Sequence, residues 1–117
     1  MRIIKLTENL PDNQSGKIIG NQLIRSATSV GANYRAACRS RSKQEFISKI
    51  KIVEEEADES MYWLELIREI KFFNVNRMNG IIKEADELTA IFTSTVKTAK
   101  TNYLNQKSKI KNHVNPK

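Results

Sequence analysis

The sequence predicts an all-α protein, folded as a bundle of long helices. Apolar residues recur at alternating spacings of three and four along three long stretches, which is the pattern of a helix with one buried face. The 117 residues include only 4 glycines and 2 prolines, and the prolines lie near the ends of the chain, at Pro11 and Pro116. With 39% hydrophobic residues, a chain of this length can bury one modest core. We therefore expect one helical domain over residues 1–105.

The first ten residues have an apolar pattern compatible with one or two helical turns. Its members are Ile3, Ile4, Leu6 and Leu10. Pro11 and Asp12 end this pattern, because proline cannot continue a helix. The segment looks like the last part of a helix, so we expect a shortened first helix.

A second helix is predicted from about Ser15 to Arg39, with Ser15 as its start. Its apolar row has spacings of 4, 3, 4 and 3 and consists of Leu23, Ala27, Val30, Tyr34 and Ala37. The row predicts that one face of this helix lies in the core.

Small residues surround the second half of that row. They are Gly31, Ala32, Ala36 and Ala37. Short side chains let a neighbouring helix approach closely, so this stretch is interpreted as a packing surface. Cys38, the single cysteine, is interpreted as a small core residue rather than a nucleophile.

The third helix has the clearest boundary in the sequence. Ser42 followed three residues later by Glu45 matches a capping box, in which the two side chains bond to the first free N–H groups of a helix. The apolar row that follows consists of Phe46, Ile50, Val53, Ala57, Ser60, Leu64 and Ile67.

A fourth helix is predicted after a short break at Phe73, with Asn74 or Asn76 as its cap. Its apolar row consists of Met78, Ile81, Ala85, Leu88, Phe92, Val96, Ala99 and Tyr103. Residues 106–117 are polar and rich in lysine, and we expect them to form a basic, disordered tail.

The net charge of +7 is unevenly distributed along the chain. Residues 1–53 hold ten basic and three acidic residues, residues 54–96 hold four and ten, and residues 97–117 hold six lysines and no acid. An acidic middle between two basic flanks predicts internal charge pairing together with basic surfaces that a polyanion could contact.

The stretch from Leu23 to Ile50 is similar to a known family. The matching positions are Arg25, Ser26, Ala27, Ser29, Val30, Ala32, Asn33, Ser42, Glu45 and Phe46. On these residues, and on the segment from Glu55 to Ile67, the chain resembles the four-helix-bundle proteins encoded in intervening sequences of bacterial 23S rRNA genes and their chromosomal relatives. The resemblance covers about residues 2–98.

The resemblance implies an antiparallel up-and-down four-helix bundle, with a shortened first helix and three long ones in this chain. In the family a full first helix precedes the equivalent of residues 2–11. The family also has Ala-Glu-Gly where this chain has Arg35, Ala36 and Ala37, so the acid of that motif is absent here. The resemblance further implies a basic, cytoplasmic homo-oligomer, a pentamer in some members. Relatives in diversity-generating retroelements bind nucleic acid and a reverse transcriptase.

The residues themselves argue against an enzyme. His113 is the only histidine, so a di-iron bundle with two ExxH motifs is excluded and a His-based triad is not expected. Residues 54–59 include five acids, Glu54, Glu55, Glu56, Asp58 and Glu59, and Glu55 shares a helix face with Asp58 and Glu59. We interpret these acids as a solvated surface, or as partners of Arg35 and Arg39, rather than as a metal site. We expect no cofactor and no metal. The lone cysteine and the absence of an apolar leader favour the cytoplasm.

Two functions are compatible with this surface. The first is binding of RNA or DNA phosphates by a basic patch, predicted to consist of Arg25, Arg35, Arg39, Arg41, Lys43, Lys97 and Lys100. The second is a protein-interaction adaptor or structural oligomer without a nucleic-acid partner. Its interface would use apolar residues outside the main rows, namely Ile19, Ile47, Ile52, Met61, Trp63 and Ile70.

Overall fold

The computed structural model describes the backbone of residues 2–114 and the side chains of residues 2–109. Four helices follow one another: α1 Arg2–Glu8, α2 Gln14–Cys38, α3 Lys43–Glu69 and α4 Val75–Val114. The described part of the chain contains no strand. The protein is thus an all-α, antiparallel four-helix bundle whose first helix is short, as the sequence predicts. No described helix is both long and apolar enough to cross a membrane.

Side-chain caps define where two of the long helices begin and correct one prediction. Asn13, not Ser15, caps α2, and its side chain accepts a hydrogen bond of 2.8 Å from the N–H of Gly16. Ser42 caps α3 as predicted, accepting a bond of 3.0 Å from the N–H of Glu45. The carboxylate of Glu45 returns to the N–H of Arg41 at 3.3 Å, one residue before the position expected for a capping box.

The last helix begins after a left-handed residue and continues further than predicted. Lys71 has a φ of 55° and ends α3, and Asn74 then caps α4 by accepting a bond of 2.8 Å from the N–H of Asn76. The helix continues past Gln106 to Val114, where a disordered tail was expected, because glutamine and lysine favour helices and no glycine or proline lies between Gln106 and Pro116. Residues 115–117 of the predicted tail lie outside the described residues.

Two apolar clusters form the core. The larger cluster joins α1 to the other helices and includes Leu6, Leu23, Leu64, Ile67 and Met78, all with no exposed surface. The smaller cluster lies beyond the reach of α1 and consists of Ala37, Ile50, Val53 and Val96, with Val30, Phe46 and Phe92 against it. The row predicted for α3 is confirmed throughout, because all its members are buried or packed against a cluster.

The short α1 leaves part of the bundle uncovered. Seven residues span only about 10 Å, whereas the 25 residues of α2 span nearly four times that length. Beyond Arg2, α2 and α4 therefore border an open groove, which exposes 49% of Tyr34, 48% of Leu88 and 59% of Ile91. The rings of Tyr34 and Phe92 lie 6.0 Å apart between these two helices. Tyr34 and Leu88 belong to the predicted apolar rows, but α1 is too short to cover them.

The open groove also corrects the interpretation of the small residues of α2. Gly31, Ala32 and Cys38 are exposed, and of the small residues predicted to form a packing surface only Ala37 is fully buried. A Cβ atom added at Gly31 would meet no atom within 4 Å, whereas one at Gly20 would meet Leu10 at 3.3 Å. Gly20 lies beneath the connection after α1, and Gly31 lies three turns further along α2, where α1 does not reach.

Candidate nucleic-acid interface

Basic residues gather at the end of the bundle where α2 turns into α3. Residues 35–53 contain six basic residues and a single acid, Glu45. The Ser42 cap ends the turn and begins α3 at once, so the side chains of Arg39, Arg41 and Lys43 lie within one short connection, and all three are exposed. We call the six basic residues of 35–53, together with the four lysines of α4 described next, the basic end.

Helix α4 adds further positive charge to the same end. The side chain of Gln44 donates a hydrogen bond to the hydroxyl of Tyr103, which holds the second half of α4 beside the start of α3. Residues 93–109 contain four lysines and no acid. Lys100 lines a shallow cleft with Gln44 and Tyr103, and the ammonium of Lys107 lies 5.9 Å from the centre of the Tyr103 ring.

The structure separates one predicted residue, Arg25, from the basic end. Its guanidinium bonds to the carboxylate of Glu56 at 3.2 Å and also to that of Glu59. Two carboxylates neutralise this arginine, and it lies about four turns away from the α2–α3 turn. We therefore leave Arg25 out of the candidate interface.

The same ion pairs correct the predicted partners of the acidic residues 54–59. Arg35 and Arg39 were expected to pair with the acids of α3, but both are exposed and the acids pair with Arg25. The positions of these residues along α2 and α3, counted from the turn between the two helices, explain the difference. Arg25 and Glu56 lie at similar distances from the turn at residues 39–42, whereas Arg35 lies opposite the lysine-rich start of α3. These partly exposed pairs contribute about 0–1 kcal/mol each to stability.

A buried hydroxyl pair lies next to these ion pairs. Ser26 and Ser60, both buried, place their Oγ atoms 2.8 Å apart across α2 and α3. Each hydroxyl has one proton, so one serine donates to the other, and the second donates to a carbonyl of its own helix, that of Leu23 for Ser26 at 3.2 Å or that of Glu56 for Ser60 at 2.9 Å. Two small, satisfied side chains allow the helices to approach closely here.

Four basic residues of this end were missed by the sequence analysis: Lys49, Lys51, Lys107 and Lys109. Lys100 and Lys107 are seven residues apart and therefore share a face of α4, a spacing visible in the sequence. The contribution of Lys49 and Lys51 depends on the hairpin register, which the sequence pattern did not provide.

The apolar residues predicted as a partner interface do not form one surface. Ile19 is 7% exposed and belongs to the larger core cluster, because α1 packs on this end of α2. On one face of α3, the side that pairs with α2 through Glu56 and Glu59, lie Ile52, Trp63 and Ile70. The opposite side of α3 contains Ile47 and Met61, and there Ile47 lies beside residues of α4. Ile70 is 42% exposed, and Trp63 packs against the core with its Nε1 buried and unbonded.

No metal-binding cluster is present among the side chains that the structure describes. No three of the histidine, cysteine, aspartate and glutamate residues in that set come close enough to hold an ion. The side chain of His113 lies outside the described residues.

Fold and surface together define a class: a small four-helix bundle with a short first helix, an open groove and a basic end. The model of the 23S rRNA-intervening sequence protein family matches residues 1–94. The chain therefore belongs to that family, as its resemblance at the sequence level indicated.

A solved structure supports this assignment. The chain is similar to a protein of unknown function from the S23 ribosomal protein family of Bacteroides thetaiotaomicron VPI-5482, with 33% sequence identity and a TM-score of 0.74. The similarity covers 82% of this chain and 86% of the other. The comparison with curated proteins gives no match.

Proposed function

We propose that this protein binds the phosphates of RNA or DNA through its basic end, in the cytoplasm and without catalysing a reaction. One observation supports this proposal above others: residues 35–53 and 93–109, which the fold brings together, contain ten basic residues and one acid. The single acid, Glu45, is bonded to the backbone of Arg41. Phosphate contacts of this kind give affinity that falls steeply with salt and depends weakly on sequence.

Charge reversal at the α2–α3 turn tests this proposal. A variant with Arg39→Glu and Arg41→Glu should bind a labelled RNA or DNA about tenfold more weakly or worse, with a shallower salt dependence, because fewer counterions are released from the nucleic acid on binding. Lys71→Glu with Lys83→Glu is the matched control, since it changes the net charge of +7 by the same amount at residues outside the basic end. Affinity would be measured by fluorescence anisotropy over a salt series.

The comparison of the two variants decides the outcome. If both lose affinity equally, net charge rather than the basic end attracts the nucleic acid. If the unmodified protein does not bind at low salt, the proposal is wrong, and the adaptor function becomes the better one.

The open groove favours a second role, assembly with further copies of the chain. We propose that the groove is the subunit contact of a homo-oligomer, for which the family resemblance implies five subunits in some members. Tyr34, Leu88 and Ile91 together expose apolar surface along one face, which is typical of a site that another protein covers. A reverse transcriptase is the alternative protein partner that the retroelement relatives imply.

Light scattering after size-exclusion chromatography tests this role. Ile91→Lys should lower the mass of the assembly, because it places a charge in the groove. Ile70→Lys, at an apolar residue exposed on α3, should leave the mass unchanged. A monomeric unmodified protein, or a loss of assembly in Ile70→Lys alone, would contradict the proposed contact.

A further inference from the structure

A cleft between α3 and α4 lies directly beside the basic end. It is lined by Phe46, Ser94, Thr95, Thr98, Ala99 and Asn102 and has a volume of about 330 Å³. A smaller cleft of about 180 Å³ shares Phe46, Ala99 and Asn102 and adds Lys43. The two are continuous, and we call them together the polar cleft.

The polar cleft contains hydrogen-bonding groups that the fold does not use. Ser94, Thr98 and Asn102 are exposed, and their side chains bond to no other described residue. They lie on one face of α4, since they are separated by four residues each. By contrast, Thr95 donates to the carbonyl of Ile91 at 2.8 Å. Asn102 can both donate and accept, which is the requirement for pairing with the edge of a nucleobase.

An aromatic side chain, that of Phe46, lines both parts of the polar cleft. Phe46 packs against the smaller core cluster but remains partly exposed, so it combines a fixed position with an accessible surface. Unpaired bases stack on aromatic rings of this kind, with little dependence on the identity of the base. Lys43 also lines the smaller part of the cleft and supplies a positive charge for a phosphate attached to such a nucleotide.

We propose that the polar cleft receives an unpaired base of a single-stranded RNA or DNA, whose flanking phosphates contact the basic end. The inference rests on the proposed phosphate binding and narrows it to single strands. In a duplex the base faces are stacked and the pairing edges are occupied, so neither Phe46 nor Asn102 could be used. A single strand can turn one base into the cleft.

The test compares four labelled probes of equal length: a single-stranded RNA, a single-stranded DNA, a DNA duplex, and a single strand with abasic linkers in place of nucleotides. All are measured with the unmodified full-length protein at the same salt concentration. The normal single strands should bind about tenfold more tightly than the abasic strand, because the abasic strand has no base to stack on Phe46. The affinity for the duplex, compared per phosphate, should be similar to the affinity for the abasic strand.

Two protein variants test whether the base binds in the polar cleft. Asn102→Ala should weaken single-strand binding about threefold to tenfold and leave the abasic strand unaffected, because only the hydrogen bonds to a base edge are removed. Asn105→Ala is its matched control, an exposed asparagine on the same helix that does not line the cleft. Phe46→Leu should reduce the preference for normal over abasic strands, and its thermal unfolding would be measured alongside to show that the fold persists.

The outcomes separate this inference from the proposed function. No binding of any probe would overturn both. Equal binding of normal and abasic strands, or tighter binding of the duplex, would overturn the polar cleft and leave phosphate binding standing. An equal loss of affinity in Asn102→Ala and Asn105→Ala would also contradict a site in the cleft.

Discussion

Two glycines of α2 illustrate how local surroundings decide the effect of one added methyl group. A Cβ at Gly16 would overlap the carbonyl oxygen of Pro11, a backbone atom that would have to shift. At Gly31 the same atom would meet nothing within 4 Å. The first glycine is required by a close approach, and the second is not required by the fold of one chain.

Substitution of these glycines should therefore change stability in opposite directions. Gly31→Ala should raise the free energy of unfolding by about 0.5–1 kcal/mol, because alanine is the better helix former at an exposed position. Gly16→Ala should lower it, since the connection from α1 to α2 must shift. Urea denaturation of both variants at low protein concentration measures the difference. A destabilised Gly31→Ala would contradict the openness of the groove at that position.

At the scale of the helix, the start of α3 depends on one side chain. Ser42→Ala removes the oxygen that accepts the Glu45 N–H, and it should cost about 1 kcal/mol of stability. Ser48→Ala, at an exposed position further along α3, is the matched control and should have almost no effect. Thermal unfolding of both variants is the measurement, and equal melting temperatures would contradict the importance of the cap.

The helices also show what a sequence pattern can predict. The cap at Ser42 and the apolar row of α3 follow from local spacing, because a 3.6-residue period fixes which side chains share a face. The exposure of Tyr34 and Cys38 does not follow from it, because the period identifies a face but not what covers that face. The partner of Arg25 was likewise missed, since it depends on the position of the α2–α3 turn relative to both rows.

At the scale of the whole molecule, charge is separated along an elongated body of 67 by 23 by 20 Å. The basic end lies at the α2–α3 turn, whereas residues 54–65 of α3 contain six acids and no basic residue. A polyanion would be attracted to one end and repelled from the middle, so this asymmetry favours a defined orientation of a bound nucleic acid. Because the lysines of α4 join the α2–α3 turn only in the folded protein, the sequence pattern predicted only part of the basic end.

The final part of α4 extends this asymmetry and leads to a separate prediction. Leu104 is 63% exposed, and the side chains of residues 105–109 are all exposed, so this part of the helix contributes little to the core. A chain ending at Asn105 lacks four lysines, which lowers its net charge from +7 to +3. It should keep the melting temperature of the full chain, since the clusters that hold the bundle together lie before residue 105.

Nucleic-acid binding by the shortened chain should weaken, with a shallower salt dependence. The slope of log affinity against log salt should fall by about 0.7–0.9 for each phosphate that the shortened chain no longer neutralises. A full-length variant with Lys107→Gln and Lys109→Gln is the control, because it removes charge and keeps the length of the helix. If the shortened chain melts lower, the end of α4 packs on the bundle. If its salt dependence is unchanged, these lysines do not contact phosphates, and the basic end is confined to the α2–α3 turn with Lys97 and Lys100.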